Sequence, residues 1–190
     1  MAGLIHWETD MKKAIVRATA EQKPILLDFF DSGCIGCQQM NAVTYPDTNV
    51  VGFSENELIP LKIAADSEPL ATEFTLRWTP TLIVLDTNGK EHSRTIGFIP
   101  PEEFIPTILL GITKTYLDSL QFDLAITCLE RIITDYPQSF AAPEAIFYRA
   151  VCGYRAIRDA GGLKRAYERL AKEYPSSEWA KRALPYRLVP

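Results

Sequence analysis

Apolar and polar positions change their rhythm partway along the chain. Before residue 110, short apolar runs alternate with stretches of helical spacing. Over residues 8–21, with Trp7 just ahead, Trp7, Met11, Ile15 and Ala18 recur at steps of three to four, which predicts an amphipathic helix that Pro24 stops. Ile25-Leu26-Leu27-Asp28-Phe29-Phe30 is an apolar run interrupted by one carboxylate, the pattern of a strand buried on both faces. Asp31-Ser32-Gly33 breaks it, and a helix is expected to open at Cys34. A second strand is expected over 58–65, a short helix over 69–74, and a third strand over 81–85. Thr87-Asn88-Gly89-Lys90 reads as a hairpin turn, with 91–96 as the partner strand. Pro100-Pro101-Glu102-Glu103 has the proline and acids of a first helical turn.

After residue 110 the strand signals vanish and 111–190 reads as helices. Asp135-Tyr136-Pro137-Gln138-Ser139 recurs as Glu173-Tyr174-Pro175-Ser176-Ser177. In each copy proline ends one helix and serine is positioned to cap the next. Leu120, Leu124, Ile132 and Ile133, then Ala145, Tyr148 and Cys152, then Ala166, Leu170 and Tyr174 fall at helical spacing, and Gly161-Gly162 reads as a turn. Self-similarity of this kind indicates stacked helical hairpins. Two domains are expected: an α/β domain over 1–110 and an all-α domain over 111–190.

The chain has 190 residues, 47% of them hydrophobic and 23% charged, enough for a core without a metal or disulfide staple. A net charge of −4 argues against nucleic acid and anionic membranes as partners. No apolar run approaches the roughly 18–20 residues of a membrane span. The start, MAGLIHWETD, lacks the form of a signal peptide. A cytoplasmic protein is therefore expected, with an exported protein whose signal has been removed as the alternative.

The sharpest chemical signal is Cys34-Ile35-Gly36-Cys37. At a helix start the first thiol would meet unpaired N–H groups and the positive end of the helix dipole, which favour its thiolate. The second thiol lies one turn on, placed to resolve a mixed disulfide intramolecularly. Half of a zinc site or two inert core thiols are the rival readings, but zinc wants four ligands and the chain offers only His6 and His92 besides, both expected at the surface. Asp28, expected at the strand end leading into the site, is costly to bury among apolar neighbours and could exchange a proton with the resolving thiol; a strand-end carboxylate facing solvent is the alternative. Cys128 and Cys152, on apolar helical faces, read as small packing residues, with a disulfide between them left open. Lys164, Arg165, Glu168, Arg169 and Lys172 read as a solvated helix face.

Residues 1–110 resemble the thioredoxin superfamily through Leu27-Asp28-Phe29-Phe30, Lys62, Thr79-Pro80-Thr81 and Asn88-Gly89-Lys90. Lys23-Pro24, Met40 three residues after the second cysteine, and Gly97-Phe98 make the likeness strongest to thioredoxin-like domains similar to the C-terminal domain of the DsbD type. The resemblance implies Cys34 as attacking thiol, Cys37 as resolving thiol, Asp28 as buried proton acceptor and Lys62 as its tuner. It also implies a cis Pro80 beside the dithiol, with Thr79 backbone groups pairing with a substrate peptide. Typical thioredoxins carry Trp before the first cysteine and Gly-Pro between the two; here Gly33 precedes and Ile35-Gly36 lies between, which leaves the direction of electron flow open. Trp78 is the residue placed to supply the missing apolar wall. Tyr116, Ala125 and Pro137 give 111–190 a likeness to tetratricopeptide repeats, a family that often binds peptides or proteins; that the helices only extend and cap the first domain is an equal alternative.

The expected function is a thiol–disulfide oxidoreductase acting on protein or peptide disulfides and exchanging electrons with a redox partner protein, without an organic cofactor. Its rival is an adaptor that binds partners through its helices without redox turnover; metal delivery by the dithiol is a third, weaker reading.

Overall fold

The computed structural model describes residues 4–190, so the first three residues of the expected N-terminal domain lie outside the described residues. The chain divides into two compact units, one ending at Gly111 and the other beginning at Ile112. The first is α/β and the second is helical throughout.

Among the described residues four strands build the first unit: β1 (Ile25–Phe30), β2 (Ile59–Ala64), β3 (Thr81–Leu85) and β4 (Glu91–Ile96). Their order is β2-β1-β3-β4, with β1 parallel to β2 and antiparallel to β3, and β3 antiparallel to β4. β1 is central, which accounts for its continuous apolar run. One face of the sheet packs Ile25, Leu27, Phe29, Ile59, Leu61, Ile83 and Leu85 against Ala14 and Ala18 of helix α1 (Met11–Glu21). Each large side chain buried this fully contributes about 1.5–3 kcal/mol. Paired residues share a face, so Asp28, Lys62 and Leu82 project together from the other side. Val84 is two residues on from Leu82 and faces the same way. Gly111, in helix α5 (Pro101–Asp118), lies so close to Val84 that a Cβ would fall 2.5 Å from its Cγ2.

Helix α1 begins later than the apolar spacing suggests, because Asp10 caps it and accepts the Lys13 N–H at 2.8 Å. Glu8 forms a parallel bridge to Leu61 instead, donating its N–H to the Pro60 carbonyl and accepting from the Lys62 N–H. The helix ends at Gln22, in the left-handed conformation, before Pro24 is reached. The helix expected to open at Cys34 does so with Cys34 as its N-cap, and the segment before β2 runs as three pieces: α2 (Ile35–Gln39), a π-helical turn (Met40–Thr44) and α3 (Thr48–Glu57), the last capped by Asp47. A short α4 (Leu70–Glu73) follows β2. His92 is not a surface residue: its side chain is buried and its Nε2 lies 3.0 Å from Asp86 Oδ2, across the hairpin turn. His6 is exposed and pairs with Glu55.

The second unit stacks α6 (Phe122–Asp135) on α7 (Ala142–Ile157) and α7 on α8 (Ala160–Glu173), followed by α9 (Glu178–Arg182). Its core joins Ile146, Ala150, Leu163, Ala166, Leu170, Trp179, Ala180 and Ala183. Phe147 stacks on Tyr186 and packs against Trp179. The buried stripe of α6 is Ala125, Leu129 and Ile132; Leu120 sits outside the helix in a left-handed conformation and, like Leu124, is exposed. The two motif copies behave differently. Ser177 caps α9, accepting the Ala180 N–H, whereas the Ser139 hydroxyl turns back to the Tyr136 carbonyl and α7 has no side-chain cap. Gly161 and Gly162 are not the turn but the first turn of α8; Arg158 and Asp159 make the reversal, and the Asp159 carboxylate closes over the Gly162 N–H where a Cβ would be 2.6 Å away. Arg165 and Arg169, expected on a solvated face, line with Arg149 a concavity of about 380 Å³. These arginines are tied to Asp159, Glu173 and Glu130 respectively.

Candidate active site

Three segments of the first unit meet at Cys34. Asp31-Ser32-Gly33 ends the central strand and sets Cys34 at the N-cap of α2 in extended conformation. Its Sγ accepts the Cys37 N–H at 3.2 Å, one of the N–H groups a helix start leaves unpaired. The same sulfur, as thiol, donates to the Thr79 carbonyl at 3.2 Å. Thr79–Pro80 is cis and Pro80 is buried. Gly36 lies against that proline: a Cβ there would be 2.9 Å from Pro80 Cδ. The Pro80 carbonyl in turn accepts the Gly97 N–H at the end of β4. Ile35, Trp78, Ile96 and Phe98, which flank these segments, are all exposed, Trp78 by 70%.

The two thiols stand in unlike surroundings. Cys34 is part exposed and Cys37 is buried. Burial raises the Cys34 thiol, but the Cys37 thiol, the Thr79 side chain and the Cys37 and Gly36 N–H groups outweigh it, so Cys34 lies below the ordinary thiol value. Burial, reinforced by Cys34, pushes Cys37 up to about 11. Among the described residues all four cysteines are free of disulfides, and Cys152 is buried with its thiol raised to about 11. The possible bridge between Cys128 and Cys152 is therefore absent.

Asp28 lies in mid-strand rather than at the strand end, 1% exposed. Its Oδ2 accepts the Tyr45 hydroxyl at 2.8 Å and lies 3.4 Å from Lys62 Nζ. Its Oδ1 is buried without a hydrogen-bond partner among the described residues. Burial raises the Asp28 carboxyl, opposed by Lys62 and Tyr45. Lys62 Nζ also donates to Asn41 Oδ1 at 2.6 Å and sits 4.7–5.2 Å from the ring centres of Trp7, Phe30 and Tyr45. Tyr45 is held well above its ordinary value by burial first, then by Asp28 and by the charge of Cys37.

The expected site residues thus fall into two groups. Cys34, Cys37, Thr79 and Pro80 surround the dithiol, with Trp78 beside them in the chain. Asp28 and Lys62 form an ion pair beneath Tyr45. Tyr45 and Asn41 are not among the expected site residues, and Trp7 is expected only as a position of the first amphipathic helix; the one signal for Tyr45 is an aromatic just before Pro46. Among the described residues no group of three His, Cys, Asp or Glu is arranged to hold a metal ion, and no helix is long and apolar enough to cross a membrane.

A family model described as a thioredoxin-like domain matches residues 11–110, and one described as a tetratricopeptide repeat matches residues 108–139. The thiol:disulfide interchange protein DsbD of Ralstonia nicotianae is 28% identical over 105 residues, 53% of this chain and 17% of that protein. The protein of the same name from Campylobacter jejuni is 32% identical over 90 residues, 45% of this chain and 16% of that protein. The chain spans about a sixth of the length of these relatives. Among solved structures, a thioredoxin from Thermus thermophilus matches with a TM-score of 0.53 and 22% identity, over 62% of this chain and 94% of that one. A putative disulphide-isomerase from Bacteroides thetaiotaomicron matches with the same score and identity, over 59% and 96%. At this identity the two structures speak for the fold: the first unit has that of a thioredoxin.

Proposed function

The chain belongs to the thioredoxin-like domain family, and on that premise we propose that it is a thiol–disulfide oxidoreductase that cycles Cys34 and Cys37 between dithiol and disulfide. The observation that carries this reading is the asymmetry of the pair: a part-exposed Cys34 eased toward its thiolate at a helix N-cap, and a buried Cys37 held as thiol. The Cys34 thiolate attacks a substrate disulfide, forms a mixed disulfide and expels one substrate thiolate. Cys37 then gives up its proton, which we assign to Asp28, and attacks Cys34 Sγ. The second substrate thiolate leaves, two electrons have passed to the substrate, and the protein holds a Cys34–Cys37 disulfide. A redox partner protein restores the dithiol.

We assign Trp78, Thr79 and Pro80, with exposed Ile35, Ile96 and Phe98, to the binding of an extended apolar peptide around the disulfide. The Thr79 carbonyl that now accepts the Cys34 thiol becomes an acceptor for the peptide backbone once that sulfur is engaged. We assign partner binding to the helical unit, on the strength of its tetratricopeptide match. That match also favours the rival adaptor reading.

The test is a redox titration of the purified chain against glutathione and a dithiol buffer, with Cys37→Ser used to trap a mixed disulfide on Cys34. A reversible two-electron couple together with a trapped adduct is expected. A potential near about −270 mV makes the protein a reductase, and one near about −120 to −180 mV an oxidant or isomerase of exported proteins. No reversible couple overturns the enzyme reading and leaves the adaptor.

A further inference from the structure

The two oxygens of the Asp28 carboxylate are treated differently by their surroundings. Oδ2 faces both donors, the Tyr45 hydroxyl at 2.8 Å and Lys62 Nζ at 3.4 Å. Oδ1 is buried and unpartnered among the described residues. Both donors are themselves held. The Tyr45 ring meets Trp7 edge-on at 4.9 Å and Phe104 at 6.1 Å. The Lys62 ammonium lies among the rings of Trp7, Phe30 and Tyr45 and is anchored on Asn41. A planar ring wedged between two others leaves its hydroxyl little freedom to turn away, so the Tyr45 contact is a fixed feature of the site.

We propose that Tyr45 is a positioning residue for dithiol–disulfide exchange: with Lys62 it occupies Asp28 Oδ2, so that the proton leaving Cys37 is taken up on Oδ1. The inference rests on the reading of Asp28 as the proton acceptor and adds to it which oxygen acts and what holds it there. In the resolving step the Cys37 S–H bond breaks, its proton passes to Asp28 Oδ1, the sulfur's electron pair forms the bond to Cys34 Sγ, and the mixed-disulfide bond to the substrate sulfur breaks. In the reverse direction the same oxygen returns the proton. A hydrogen bond donated to a carboxylate favours its charged form, so Tyr45 also keeps Asp28 more available as an acceptor than burial alone would allow. The groups that face Asp28 are Lys62 from β2, Tyr45 from the end of the π turn and, through Tyr45, Cys37 of α2. Its β3 neighbour is Leu82, and its chain neighbours Leu27 and Phe29 are apolar.

Tyr45→Phe keeps the ring contacts and removes only the donated hydrogen bond. Losing a bond to a charged group makes Asp28 harder to ionise, and the resolving step at pH 7 is expected to slow about three- to tenfold, with its acid limb displaced to higher pH. Asp28→Asn removes the limb, and adding Tyr45→Phe to it is expected to have no further effect. An additive double variant overturns the proposal, because a merely structural Tyr45 would act independently of Asp28. A second readout needs no turnover: the ¹³C titration of the Asp28 carboxyl carbon in the oxidised protein moves to higher pH in Tyr45→Phe, and an unchanged midpoint overturns the proposal. A wild-type protein with no reversible Cys34–Cys37 couple sinks the oxidoreductase reading itself, whatever Asp28 does.

Discussion

Replacing Gly36 by alanine sets two opposed effects against each other at the mouth of the site. Alanine is the better helix former, and at an unstrained position the exchange stabilises by about 0.5–1 kcal/mol. Here the new Cβ meets Pro80 Cδ at 2.9 Å, with Pro80 Cγ at 3.7 Å and Cys34 Sγ at 3.8 Å. Carbon atoms rest at about 3.5–4.0 Å, so the gap must open by roughly 0.6 Å or more. Pro80 cannot yield by a rotamer change, because Cδ is bonded to its own backbone nitrogen. It is buried at the head of β3, beside Thr81, which is 1% exposed. Overpacking of this kind costs about 1–3 kcal/mol, so the expected outcome is a net loss of about 1 kcal/mol. The motion also draws the Thr79 carbonyl away from Cys34 Sγ. Native-state hydrogen exchange of the β1 and β3 amides reads the stability of this unit alone, and the pH profile of Cys34 alkylation reads the sulfur. A variant stabilised by about 0.5–1 kcal/mol with an unaltered alkylation profile refutes the argument, since it would mean that Pro80 is free to move.

At pH 7, iodoacetamide should modify Cys34 well before Cys37 and Cys152, whose thiols burial pushes to about 11; peptide mass spectrometry decides, and equal rates at Cys34 and Cys37 contradict the asymmetry. Burial raises the native Asp28 carboxyl above its unfolded value, so its contribution to stability is complete below the unfolded pKa and is lost as pH rises through the native one. Asp28→Asn should therefore gain on the wild type between acid and neutral pH in urea titrations, and a pH-independent difference would count against it. Ser177→Ala should cost about 1 kcal/mol by removing a helix cap, while Ser139→Ala costs less because the Tyr136 carbonyl keeps its bond from the residue 139 N–H; hydrogen exchange across α7–α9 compares the two, and equal losses would mean that Ser139 acts as a cap after all.

Local chemistry was legible where it was self-contained. Ile25–Phe30 and Thr81–Leu85 coincide with the expected strands because turn residues or prolines bracket each apolar run, and the polar Glu91–Ile96 coincides because the Asn88-Gly89 turn marks it as a hairpin partner. Asp28 stood out as the one charge inside such a run. What escaped the sequence depends on partners far along the chain or on small shifts of register. Glu8 looked helical, yet its backbone pairs with β2, some fifty residues on. His92 is buried only because the hairpin returns it to Asp86. Ser139 and Ser177 share a motif, but Pro143 in the first turn of α7 delays that helix past the reach of Ser139. Leu120 and Leu124 matched the helical period, but Ala125, Leu129 and Ile132 make the buried stripe. Tyr45 was hidden because nothing in the residues after Cys37 marks where the helix opening at Cys34 changes its winding.

That helix is interrupted between Met40 and Thr44, where the Tyr45 amide reaches back five residues, to the Met40 carbonyl, instead of four. One extra residue is thereby wound into the turn. Each residue of an α-helix advances the chain by about 100° around its axis, so everything beyond the turn is set back by that much from where an uninterrupted helix would carry it. The hydroxyl on Asp28 therefore depends on chain length as well as on side-chain identity. Deleting one residue from 42–43 would put the Tyr45 amide at the ordinary four-residue spacing from the Met40 carbonyl and leave Tyr45 on the carboxylate, whereas inserting one there would turn it away with every side chain of the site still in the sequence. The extra residue is thus a change of chain length that the turn absorbs, so that the hydroxyl keeps its place on the carboxylate.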